Sequence, residues 1–175
     1  MRFSVRSLLL LFALSPFVTI ACARAQTPTD GAPPQTVPEG ATELTIEPVD
    51  EIVSRFYSGI EDRRREVIRT TEDWHAFWTE LTIMQQPPPE SPAIDFDRQM
   101  VIVATMGRQS TGGYLITMPA VHEQGAQLFV EVVEVSPGAG CMTTQAFTAP
   151  ATAIKIDDRD DPVTFIERSE QQSCQ

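Results

Sequence analysis

Three cysteines, two histidines and one acidic run carry most of the reactive chemistry open to this 175-residue chain. The histidines, His75 and His122, have no second ligand at an i+4 or Cys-x-x-Cys spacing, which a zinc site in one segment would need. His75 falls off the apolar stripe of a helix and His122 opens the polar stretch "HEQGA", so both read as solvated side chains. The acidic run "DDRDDP", Asp157 to Pro162, lacks the alternating ligands, central glycine and distal glutamate of an EF-hand loop, and reads as a charged hairpin tip. No Gly-x-Ser-x-Gly elbow is present, although a Ser-His-Asp set can be assembled from distant positions. These residues give no reason to expect a catalytic group, a metal or a cofactor.

The stretch "STGGY", Ser110 to Tyr114, is the other candidate. It has no Gly-x-x-x-x-Gly-Lys pattern and leads into a strand rather than a helix, so it is no phosphate cradle. Two explanations of the glycine pair stay open. One is a bulged strand entry that uses positive φ. The other is a recognition tip of Arg108, Thr111, Gly112, Gly113 and Tyr114, because arginine and tyrosine are over-represented at binding hot spots.

Cysteine chemistry depends on compartment. Arg2 and Arg6 precede the apolar stretch Leu8 to Ala21, and small residues follow, so residues 1–25 read as an export signal. Ala23-Arg24-Ala25 suits ordinary signal peptidase. Thr19-Ile20-Ala21-Cys22 resembles a lipobox, in which Cys22 is lipidated and anchors the chain. Cell-envelope anchoring and free secretion to the periplasm or medium both follow from export. In an oxidising compartment Cys141 and Cys174 are an even pair and are expected to form a disulfide.

Charge excludes one class of partner. The chain has 13 basic and 24 acidic residues, a net −11; loss of Arg2, Arg6 and Arg24 with the signal brings it near −14. Such a surface repels nucleic acid and anionic headgroups, leaving membrane contact to an N-terminal lipid alone.

Residues 26–42, rich in Pro and Thr, have too little apolar surface to offset the entropy of ordering, and read as a flexible tether. Residues 43–170 are enough for one domain, with a polar tail at 171–175. Within the domain Trp74, Phe77, Trp78 and Leu81 recur at helical spacing behind a Thr70/Asp73 capping pair, and the prolines of "QQPPPESP" end that helix. Met100 to Gly107 is a continuous apolar run and predicts a central strand covered on both faces. Three hairpins are expected: "EIVSRFYSG" with "RREVIRT", "GYLITMPAV" with "QLFVEVVEV", and "ATAIKI" with "VTFIER". The fold class is α+β, a mainly antiparallel sheet domain with one amphipathic helix packed on it.

In chain order, "EVIRTTEDWHAFW", "IDFDRQMVIVATMGRQSTGGY", "VEVVEVSPGAGC" and "TAPATAIKI" resemble the C-terminal domain of PrcB-type proteins over about Ile52 to Ile156. The family is named after an accessory lipoprotein of a bacterial surface protease complex. Its most diagnostic pieces here are Thr111-Gly112-Gly113-Tyr114, Pro137-Gly138 with Gly140-Cys141, and Thr148-Ala149-Pro150. The resemblance implies an exported, non-catalytic protein that binds or stabilises an envelope partner, with a protease among the candidates. Gly138 and Gly140 then join the candidate surface as a second glycine-rich loop. A protease inhibitor that inserts these loops into a cleft is the alternative, and an unrecognised hydrolase the third.

Overall fold

The computed structural model describes residues 36–49 and 57–174. The export signal, Cys22 and most of the tether lie outside the described residues. So does the greater part of the first strand expected in the "EIVSRFYSG" hairpin.

The chain runs through β1 (Thr42–Glu43), β2 (Glu47–Pro48), β3 (Arg63–Ile68), α1 (Thr71–Thr82), β4 (Gln99–Met106), β5 (Leu115–Thr117), β6 (Val121–Glu123), β7 (Leu128–Pro137), β8 (Ala151–Asp157) and β9 (Val163–Gln172). Two sheets result. One has the order β2-β8-β4-β3 and is antiparallel; the other joins β1, β6, β7 and β5, with β9 on β7. The α+β class holds, with one parallel pair, β7 with β9.

Strand β4 explains the layering. Its alternate side chains enter two separate cores, as period 2 requires. Val101 and Val103 share a cluster with Trp74, Phe77, Trp78 and Leu81 of α1, while Met100, Ile102 and Ala104 share one with Val121, Leu128, Val130 and Val132 of the second sheet. The order of layers is therefore helix, sheet, sheet. Strand β8 divides in the same way: Ala151 and Ala153 lie in the helix-side cluster, Ile154 and Ile156 in the inter-sheet one. Small residues on the helix side leave room for two indoles. Thr70 caps α1 by accepting from the Asp73 amide at 3.1 Å. Both indoles then donate to the proline-rich connection, Trp74 to Pro92 O and Trp78 to Pro89 O, each at 2.9 Å.

One of the three hairpins fails, and the greater part of the first lies outside the described residues. Among the described residues β3 pairs with β4, not with the segment before it, and Tyr57 bridges to Ala149 instead. "DDRDDP" is not a hairpin tip: β8 and β9 belong to different sheets, and the run crosses between them. Apolar Phe165 is needed over the inter-sheet core, and parallel pairing with β7 places it there. The middle hairpin stands as the β6–β7 turn, with β5 also on β7. His122 belongs to β6 rather than to the turn, and it is half-buried with Nε2 2.9 Å from Glu131 Oε1. The polar tail is also shorter than expected, since β9 continues to Gln172.

One seam between the sheets is ionic. Arg63 and Arg65 of β3 reach Glu134 of β7 and Glu167 of β9. All five N–H groups of Arg65 are used: three bonds go to the two carboxylates and two to the carbonyls of Arg64 and Thr105. Burial works against its charge, but the bonds it donates to Glu167 and Glu134 outweigh that and hold its pKa above the ordinary arginine value. Arg64 points to the other face and is bidentate to Glu80 of α1, which raises its pKa likewise.

Candidate functional site

The two glycine-rich loops meet at one end of the inter-sheet layer. After β4 the chain turns at Gly107, φ +69°, where a side chain would meet the Glu61 carbonyl at 2.6 Å. Gln109 then bridges Thr148 in both directions. The Thr148 hydroxyl donates to Thr111 O at 2.8 Å, and the Gly112 amide donates to Thr144 O at 3.0 Å. A Cβ on Gly112 would stand 2.4 Å from Thr144 Oγ1. Gly113, φ +90°, sits against Pro137 and Thr143. The glycine pair thus has two reasons at once, close loop-to-loop approach and positive φ.

The second loop is tied to the end of β9. The Gly138 amide donates to Gln172 O at 2.9 Å, and a Cβ there would approach that oxygen to 2.5 Å. Cys141 and Cys174 are joined in the structure, with Cα atoms 5.0 Å apart.

Between the loops lies an open cleft of 360 Å³, lined by Gly112, Gly113, Tyr114 and Leu115 on one side and by Tyr57, Thr144 and Gln172 on the others. A second cleft of 290 Å³ adjoins it, sharing Tyr57 and Thr148 and adding Ile83, Met84, Arg108 and Phe147. The walls are unusually apolar for a surface. Tyr57, Ile83, Met84 and Phe147 are 58–74% exposed, Leu115 is 39% exposed, and Met142 on the second loop is fully exposed. The Arg108 guanidinium stacks 3.8 Å over the Phe147 ring and lies 3.5 Å from Glu61.

Of the residues singled out from sequence, Gly112, Gly113 and Tyr114 line the first cleft and Arg108 the second. Thr111 is half-buried and acts as a backbone acceptor for Thr148 rather than as a wall. Gly138 and Gly140 lie under the end of β9, against Gln172 and Cys174. Tyr57, Ile83, Met84 and Phe147 were not anticipated. Phe147 carried a faint signal, a lone aromatic in polar "TTQAFTAP".

Elsewhere, His75 Nδ1 is 2.9 Å from Ser91 Oγ on the surface, and His75 has no carboxylate partner among the described residues. Among the described residues no group of three His, Cys, Asp or Glu is placed to hold a metal, and no helix is long and apolar enough to cross a membrane.

No curated protein and no solved structure matches the chain. The family model described as PrcB C-terminal matches residues 100–157, which run from β4 through β8 and include both glycine-rich loops. Helix α1 and β3 precede the matched stretch, so the resemblance seen around "EVIRTTEDWHAFW" lies outside it. Over residues 100–157 the chain is similar to the PrcB C-terminal family.

Proposed function

We propose that this is an exported, non-catalytic accessory protein that binds or stabilises another envelope protein through the paired clefts. The observation that carries this is the set of exposed apolar side chains that runs from Leu115 and Tyr57 in the first cleft to Ile83, Met84 and Phe147 in the adjoining one. Scattered apolar residues on a surface need no explanation, but a contiguous set in concave walls marks an interaction site. The accessory character of the PrcB family supports the same conclusion, and a protease complex is the first partner to test.

The test is recovery of a specific partner from the envelope fraction by the intact protein after crosslinking, against the Tyr57→Asp/Phe147→Asp variant. The partner is expected with the former and absent with the latter. Equal recovery by both, or none by either, opposes the proposal. Anchoring is tested separately: wild type is expected in the detergent phase and Cys22→Ala in the aqueous one. Soluble wild type beginning at Gln26 shows ordinary cleavage instead.

One observation favours protease inhibition as a second reading. Met142 is fully exposed and directly follows the disulfide-linked Cys141, so it projects from a tethered loop. Micromolar protein is then expected to slow one member of a panel of serine and cysteine proteases, and uniform inactivity removes this reading.

A further inference from the structure

The Cys141–Cys174 bond sits where it can control the cleft without being part of its walls. Cys141 belongs to the loop that continues to Thr144, which lines the cleft and accepts the Gly112 amide. Cys174 follows two residues after Gln172, another wall residue and the last of β9. Besides the sulfur bridge these pieces are held by local ties: Gly138 N to Gln172 O, Cys141 N to Gly138 O, the Ser136 hydroxyl to Glu170 O, and the last rungs of β7 with β9, Ser136 opposite Gln171 and Pro137 opposite Gln172. At this corner the apolar Pro137 is half-buried against Gly113. Residues 168–174 are all exposed, as are Ala139 and Gly140, while Gly138 and Cys141 are half-buried. Terminal segments of this composition fray unless tied down.

We infer that the Cys141–Cys174 disulfide is a reversible modification site for a dithiol reductant, and that its reduction loosens the cleft walls while the two cores stay folded. The inference rests on the cleft being the binding surface. Access favours attack at Cys174, which is exposed, over Cys141, which is half-buried. A thiolate of the reductant bonds to the Cys174 sulfur and breaks the S–S bond, and Cys141 leaves as a thiolate that takes a proton. The reductant's second thiol then displaces Cys174 from the mixed disulfide. Two electrons pass from the dithiol, which ends as a disulfide, and the protein ends with two thiols. Residues 171–174 are released from the second loop. Thr144 loses its fixed position, and with it the Gly112 amide loses its acceptor.

Hydrogen exchange followed by mass spectrometry on the full mature chain, oxidised and after dithiothreitol, tests this. Reduction is expected to speed exchange about tenfold or more at residues 110–115 and 141–148, which are not neighbours of Cys174 in sequence, while β4 keeps its protection. Acceleration confined to residues 138–141 and 171–174 overturns the inference, because the walls then do not depend on the bond. Loss of protection in β4 also overturns it, since the reduced form is then unfolded rather than loosened. Alkylation of both thiols in native oxidised protein overturns it at the first step. The Cys141→Ser/Cys174→Ser variant, read in the same way, separates loss of the bond from any effect of the reagent. These outcomes stand apart from partner recovery: a rigid cleft that still captures its partner fails the switch alone, and a switch without capture fails the binding proposal alone.

Discussion

Two neighbouring regions of this domain reverse the usual distribution of polarity. Between the sheets, Arg65 is nearly buried and ionic, with every donor matched by an acceptor. Outside, on the walls of the two clefts, Tyr57, Leu115, Met84 and Phe147 are apolar and exposed. A buried arginine with five satisfied donors is a closed arrangement, and losing one partner strands the others. The apolar walls are the opposite: they have solvent where a core would supply neighbours. Buried charge and exposed apolar surface are the two informative exceptions to ordinary burial, and they teach different things. The first is explained within the chain, and the second calls for something outside it.

The contrast predicts a graded response to substitution. Arg65→Leu is expected to be the most costly, about 3–5 kcal/mol, because it leaves Glu134 and Glu167 with the half-exposed Arg63 alone; that remaining partner and the partial exposure of Glu167 favour the lower end. The midpoint of urea unfolding is the measurement, with Arg65→Lys falling between because it keeps the charge but not the five-donor fork. Cys174→Ser follows, at about 2–4 kcal/mol for a bridge spanning 33 residues. A thermal shift near zero would show that the bridge adds nothing to the folded state. Gly112→Ala comes next, at about 1–3 kcal/mol, because the new methyl must displace Thr144. Its signature is local, and exchange at the Gly112 amide rises more than at β4. Phe147→Ala is expected to change stability by no more than about 0.5 kcal/mol, as for a surface side chain. A large loss there would mean that Phe147 is structural, and the comparison between the two regions would collapse.

Much of the frame was legible because it rests on periodicity. The stripe Trp74, Phe77, Trp78, Leu81 and the unbroken run Met100 to Met106 each announce which faces are covered. Pairing was less legible, because hairpin logic assumes that neighbours in sequence pair in space. "ATAIKI" and "VTFIER" have the alternation of strands, but nothing in them states that Ile154 and Phe165 approach the same core from two sheets. His122 was misread for a related reason: its bond to Glu131 crosses strands and has no local trace. At the clefts, the glycine pair was visible since glycine is costly without a purpose. Tyr57, Met84 and Phe147 were not, because a single apolar residue in a loop has no period.

The central claim, that the paired clefts are the contact surface, is tested most directly by photo-crosslinking in intact cells. A photoreactive residue placed at position 147 or 57 should trap one protein species in common, and the same residue at His75, which is exposed and outside both clefts, should trap none. Equal trapping at all three positions, or trapping only at His75, would contradict the account.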